Sequence, residues 1–130
     1  MSYNPDDLKY TKEHEWVRVS GDTARVGLTD FAQRQLGHIV FVELPTKGDT
    51  FGQNEPFGSV ESVKAVTESY MPVSGQVTTL NDRLDREPEL INDDPYGDGW
   101  LIELRISAKG ELGELLSAQE YTDFVKAEED

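Results

Sequence analysis

The chain has 130 residues, sets 12 lysines and arginines against 26 aspartates and glutamates, contains no cysteine, and carries a formal net charge of −14. An acidic surplus of that size repels phosphate backbones and anionic lipid, so neither nucleic acid nor a membrane surface is expected as a partner. The missing thiols exclude a disulfide framework, a thiolate nucleophile and a cysteine-based metal site, so any sulfur chemistry must be borrowed.

The length fits one domain over 1–130, large enough to bury roughly two thirds of the surface its unfolded form exposes. No segment approaches the apolar length that spans a bilayer. Met1 to Lys12 has neither an apolar signal core nor an Arg-rich amphipathic pattern, so the expected location is the cytoplasm.

In chain order, His14 to Val19 and Thr23 to Leu28 alternate as two strands around a Ser20-Gly21-Asp22 loop. Thr29 or Asp30 then caps a short helix near 29–36, with Phe31 and Leu36 toward the core and Gly37 as its stop. His38 to Leu44 reads as a largely buried strand ended by Pro45. Lys47-Gly48-Asp49-Thr50-Phe51 is a glycine turn feeding a strand. Phe57 to Ser62 and Val66 to Met71 suit the two arms of a hairpin, and Gln76 to Leu80 leaves the Ser74-Gly75 turn as another strand. Pro88 opens one helical turn over Glu89 to Asn92, and Trp100 to Ile106 is the last strand. Ser117 and Glu120 form a capping box, and Tyr121, Phe124 and Val125 repeat at helical spacing, predicting a C-terminal helix near 117–127. Many short strands between Gly and Pro turns predict a mainly β fold, a sandwich or flattened barrel.

The corner Val63-Lys64-Ala65 places one lysine at the hairpin tip. Nothing near it in sequence would desolvate the amine and lower its pKa, which makes Lys64 a poor base and a good attachment point. His14 and His38 are the only imidazoles. They lack the spacing of a helical zinc motif and are expected at core edges. Asn92 to Glu103 partly matches a calcium loop, but Tyr96 holds a ligand position, Pro95 disturbs the loop and a strand follows, so solvated turn carboxylates are expected instead. Trp16, Trp100, Phe41, Phe57 and Tyr70 are expected in the core or along the wall of a cleft.

A frame of Gly48-Asp49, then Lys64, then Pro72-Val73-Ser74-Gly75 resembles the lipoyl and biotinyl carrier domains. Val63 and Ala65 stand where a biotin carrier is expected to have methionines. Reading outward, five ordered blocks resemble the glycine cleavage H-protein family. They are Tyr10 to Val17 around His14-Glu15-Trp16, Gly27-Leu28-Thr29-Asp30, Leu36 to Pro45, Phe57 to Ala65, and Pro95 to Ile102. Leu115 to Tyr121 extends the likeness toward the C-terminus.

The resemblance implies a barrel-sandwich hybrid, a flattened barrel of two antiparallel sheets with added helices. It implies lipoate attached covalently to Lys64, within a hairpin of Glu61, Ser62, Val63 and Ala65 that lipoyl-attaching enzymes recognise. It also implies a carrier without turnover of its own, moving an aminomethyl group from a pyridoxal-phosphate glycine decarboxylase to a folate-dependent aminomethyltransferase. Dihydrolipoamide dehydrogenase would then reoxidise the arm. Glu15 and Glu68 fall where the family has acidic residues near the folded-back arm, whereas Gln35 stands where some relatives have histidine. Organellar members need a transit peptide, so the bare start implies a bacterial or archaeal cytosol. Two other readings stay open: a lipoate relay or carrier for another complex, and an unmodified acidic interaction domain.

Overall fold

A computed structural model describes residues 3–129; Met1, Ser2 and Asp130, at the ends of the expected domain, lie outside the described residues. The strands are β1 (Lys9–Tyr10), β2 (Glu15–Ser20), β3 (Thr23–Leu28), β4 (Ile39–Glu43), β5 (Thr50–Phe51), β6 (Pro56–Ser62), β7 (Val66–Tyr70), β8 (Gly75–Leu80) and β9 (Ile102–Ile106), with helices α1 (Asp30–Leu36), α2 (Leu90–Asp93) and α3 (Ala118–Glu129). They form a six-stranded sheet in the order β1-β2-β3-β9-β8-β5 and a three-stranded sheet β4-β6-β7. Every strand pairing is antiparallel. The fold is thus the expected mainly β arrangement of two sheets, and among the described residues no ladder closes them into a barrel.

Alternation along the strands builds the main core. Val17 and Val26 from β2 and β3 meet Val42 and Val60 from β4 and β6, with Val77, Leu104 and Ile106 completing the layer. A second apolar cluster lies outside the six-stranded sheet, where Leu8, Tyr10, Trp16 and Phe31 receive Ala118, Tyr121 and Val125 of α3. The start of β2 is therefore covered on both faces: Trp16 points to the α3 cluster, Val17 to the main core, and both are fully buried. The Trp16 indole lies over its ladder partner Gly27, where a Cβ would come within 2.6 Å of it. Removing a buried Trp of this kind typically costs about 3–5 kcal/mol.

The helix ends follow the sequence chemistry. Thr29 Oγ1 accepts from the Ala32 amide at 3.2 Å, which decides the cap in favour of Thr29, and Gly37 ends α1 at φ 80°. At α3, Glu120 N–H donates to Ser117 Oγ at 3.1 Å and Ser117 N–H donates to Glu120 Oε1 at 2.8 Å, a complete capping box. Tyr121 then stacks on Tyr10 with ring centroids 4.7 Å apart, docking α3 against β1.

Some expectations are corrected. β4 is not largely buried: Val40 and Phe41 both face solvent, because the ladder with β6 shifts register between Ile39 and Phe41 and turns two consecutive residues outward. Phe41 therefore lies outside the core. His38 is exposed and covers no core edge. The last strand starts at Ile102, with Trp100 half-buried ahead of it and capped by the Arg25 guanidinium 4.5 Å from its ring.

Candidate functional site

The hairpin of β6 and β7 turns through Val63, Lys64 and Ala65, all three exposed, as is Glu61 on the approach. Ser62 is buried beneath the turn and ties it together. Its Oγ accepts from the amides of Lys64 at 3.2 Å and Ala65 at 3.1 Å, while Ser62 N–H donates to the Ala65 carbonyl at 2.8 Å. Val63 N–H donates to the His38 carbonyl at 3.0 Å, fixing the tip to the start of β4. The turn is thus tied down at its base, with Lys64 exposed at its tip.

That side chain passes over the end of α1. A Cβ built on Gly37 would lie 3.7 Å from Lys64 Cε, in ordinary contact, so the positive φ, not the space, calls for glycine here. Asn92 of α2 holds this corner: Nδ2 donates to the Gly37 carbonyl and to Gln33 Oε1, each at 2.9 Å, and Oδ1 accepts from Ile39 N–H at 2.9 Å.

A cleft of about 440 Å³, lined from Leu36 back along α1, lies between α1, β7 and the end of α3. Leu28, Phe31, Ala32 and Leu36 give it an apolar wall, and Glu13, Glu68 and Glu128 bring carboxylates to its edge. His14 lies among them, with Nδ1 2.8 Å from the Tyr121 hydroxyl and Nε2 3.1 Å from Glu128 Oε2. The Tyr121 hydroxyl also shares a 2.7 Å hydrogen bond with Thr29 Oγ1, so the cap of α1, the cleft histidine and α3 are joined by one group. Burial pulls the His14 pKa down, and the Glu128 carboxylate opposes that pull.

The cleft includes Glu68 but not Glu15. Glu15 is buried at 1 % exposure. Its Oε1 accepts from the Thr11 hydroxyl at 2.6 Å and its Oε2 from the Tyr70 amide at 3.1 Å. Burial pushes its carboxyl up to about 7, against the lowering effect of those two hydrogen bonds. Glu68 Oε2 accepts from the Tyr70 hydroxyl at 3.3 Å, so Tyr70 is bonded to both acids, one through its backbone and one through its side chain.

Glu13, His14, Phe31 and Glu128 are cleft residues that the sequence did not mark. Glu128 could have been found by continuing the Tyr121, Phe124, Val125 spacing along α3; His14 needed the fold, because its partners come from the far end of the chain. In the Asn92–Glu103 loop, Asp94 Oδ2 accepts from the Asp98 amide at 2.9 Å and so holds the turn. Among the described residues no group of His, Asp or Glu is placed to hold a metal ion, and no helix is long and apolar enough to cross a membrane.

An apolar groove next to a tethered amine, with carboxylates at its edge, can lay a hydrocarbon arm along its wall and hold a cationic end group. Comparison with known proteins identifies the family. A family model described as glycine cleavage H-protein matches residues 8–128. The glycine cleavage system H protein of Salinibacter ruber is 55% identical over 119 residues, covering 92% of this chain and 96% of the relative. That of Halalkalibacterium halodurans is 53% identical over 128 residues, covering 98% of this chain and all of the relative. A crystal structure of a glycine cleavage system H protein from Mycobacterium marinum superposes with a TM-score of 0.85 at 42% identity, over 92% of this chain and 96% of that one. With likeness of sequence and fold running over nearly its whole length, the chain belongs to the glycine cleavage H-protein family.

Proposed function

We propose that this chain carries lipoate in amide linkage on Lys64 and serves the glycine cleavage system as its mobile carrier, without turnover of its own. The observation that carries this reading is Lys64 at a braced, exposed hairpin tip, with its Cε beside Gly37, the residue that follows Leu36 of the apolar, acid-edged cleft. In attachment, the deprotonated Lys64 Nζ attacks the carbonyl carbon of an activated lipoate, an acyl phosphate anhydride or thioester. The C–N bond forms, the leaving group departs with its electron pair, and the second amine proton goes to solvent.

The cleft fits such a group: Leu28, Phe31, Ala32 and Leu36 suit its hydrocarbon chain, and Glu68, Glu13 and Glu128 suit a cationic end. Once attached, lipoate would supply a disulfide as the carrier of an aminomethyl group between a pyridoxal-phosphate glycine decarboxylase and a folate-dependent aminomethyltransferase, with dihydrolipoamide dehydrogenase as the enzyme that restores the disulfide. Glu68 would hold a cationic end group at the cleft edge, and the apolar wall would limit water there. Glu15 acts from beneath by fixing the Tyr70 backbone, and Tyr70 in turn holds Glu68. Glu61, Ser62, Val63 and Ala65 present Lys64 to the lipoyl-attaching enzyme. Tethering raises the arm to a millimolar-scale effective concentration at the chain's own cleft. The working place is the cytoplasm.

The test is exchange of labelled bicarbonate into glycine by the decarboxylase with the lipoylated chain as co-substrate. Exchange that needs Lys64, and is lost in Lys64→Arg, is the expected result. A lipoylated chain that supports no exchange would point to a relay or another complex.

A further inference from the structure

The outer face of the three-stranded sheet carries an apolar surface at the hairpin tip. Phe41 of β4 pairs with Glu61 of β6, and Glu61 pairs with Val66 of β7. Ladder partners project to the same face. The next row, Val42 against Val60, is buried, so the tip row must point away from the core. Phe41 is 56 % exposed and Val66 64 %, with Val40 at the bulge and Val63 in the turn exposed beside them. Apart from Tyr3 and Val19, these are the exposed large hydrophobic residues among the described ones. Scattered apolar residues need no explanation, whereas four gathered around one lysine mark a contact surface.

We propose that this row, Phe41-Glu61-Val66 with Val40 and Val63, is the docking face of the enzyme that acylates Lys64, and that its partner surface is apolar with a basic side chain set against Glu61. The inference rests on the lipoyl reading of Lys64. Distance selects this occupant over the enzymes that use the finished arm. An attaching enzyme must bring an activated carboxyl to Nζ itself and so must enclose the tip. The three working enzymes meet the arm's far end, a whole lysine and lipoyl chain away. Charge supports the partner chemistry: Glu61 is an exposed carboxylate centred between two apolar residues, on a chain of net charge −14. A basic group facing it would set the register of docking. Phe41, an aromatic residue with little to hold it back, is the natural anchor for a partner pocket.

The experiment is steady-state acylation of the unmodified chain by a lipoate–protein ligase with ATP and lipoic acid, varying the chain concentration and reading product by intact mass. Phe41→Ser is expected to raise KM for the chain about tenfold, and the near-isosteric Val66→Thr about threefold, with kcat within about twofold of wild type. Glu61→Lys should raise KM as well, and Val19→Ser, an exposed apolar residue on the other sheet, should leave it unchanged. Both Phe41 and Val66 are surface residues, and matching thermal midpoints would show that each variant folds. Wild-type KM values in Phe41→Ser and Val66→Thr, with Lys64 still acylated, overturn this inference and leave the carrier reading intact. A concentration-dependent dimer abolished by Phe41→Ser would also overturn it, giving the face to a second copy of the chain. A wild-type chain that is not acylated overturns both readings together.

Discussion

The Glu15 carboxylate accepts the Tyr70 amide at 3.1 Å and thereby links the six-stranded sheet to the end of β7 in the three-stranded one. Burial pushes this carboxyl from 4.5 up to about 7, so the folded state holds its proton more tightly than the unfolded chain does. Stability from this group is full below about pH 4.5 and is lost as the pH rises to about 7, amounting to about 3 kcal/mol across that window. In Glu15→Gln the amide can still accept from Tyr70 and donate to Thr11 while carrying no charge. Urea unfolding should show the variant gaining on wild type by about 2–3 kcal/mol between pH 5 and pH 8. Parallel stability–pH curves would mean that Glu15 ionises as it does in the unfolded chain.

Glu68 faces the cleft, where Glu15 does not. Glu68→Gln keeps the size and the hydrogen bond from Tyr70 but removes the charge that pairs with an ammonium group. The loaded arm should lose its aminomethyl group about three to ten times faster in Glu68→Gln, a loss of up to about 1.4 kcal/mol of protection. Glu15→Gln should speed it less. Intact mass followed over time reads both, and an unchanged lifetime in Glu68→Gln would remove that residue from the mechanism.

Tyr121 joins α3 to the cleft through one hydroxyl shared by Thr29 and His14. Tyr121→Phe keeps the stack on Tyr10 and leaves the buried Thr29 hydroxyl and His14 Nδ1 short of a partner. A loss of about 1–3 kcal/mol is expected, read as a lower urea midpoint at unchanged slope. A midpoint equal to wild type would show that water replaces the hydroxyl.

The net charge of −14 should speed encounter with partners whose mouths are basic. Raising ionic strength from about 0.01 to 0.15 M shortens the screening length from about 30 to about 8 Å. Decarboxylase exchange should then slow at limiting carrier concentration and recover at saturating carrier. A rate insensitive to salt at limiting carrier would show that steering plays no part.

Local chemistry was legible in the sequence where it is self-contained. Thr29 caps α1, Ser117 and Glu120 close on one another, and the Val63-Lys64-Ala65 corner turns where the flanking β-branched runs stop. What escaped depends on residues distant along the chain. Phe41 is expected in the core or along a cleft wall, as aromatic residues in strands usually are, and only the register shift against β6 turns Val40 and Phe41 outward. The short strand β1 has too few residues for a periodic signal; it exists because Tyr10 is clamped between Trp16 on one side and Leu116 on the other. The family resemblance places Glu15 near the folded-back arm, yet it is buried at the start of β2 and lies outside the cleft. The cleft itself has no sequence signature, since its wall comes from β3 and α1 and its acids from three further segments.

The most direct measurement is the intact mass and peptide map of the chain after incubation with lipoic acid, ATP and a lipoate–protein ligase, alongside Lys64→Arg and a control lipoyl domain. A single lipoyl increment on the peptide holding Lys64, absent from the variant, is the predicted result. No increment on the wild-type chain under conditions that fully modify the control would contradict the carrier function and leave an unmodified acidic interaction domain in its place.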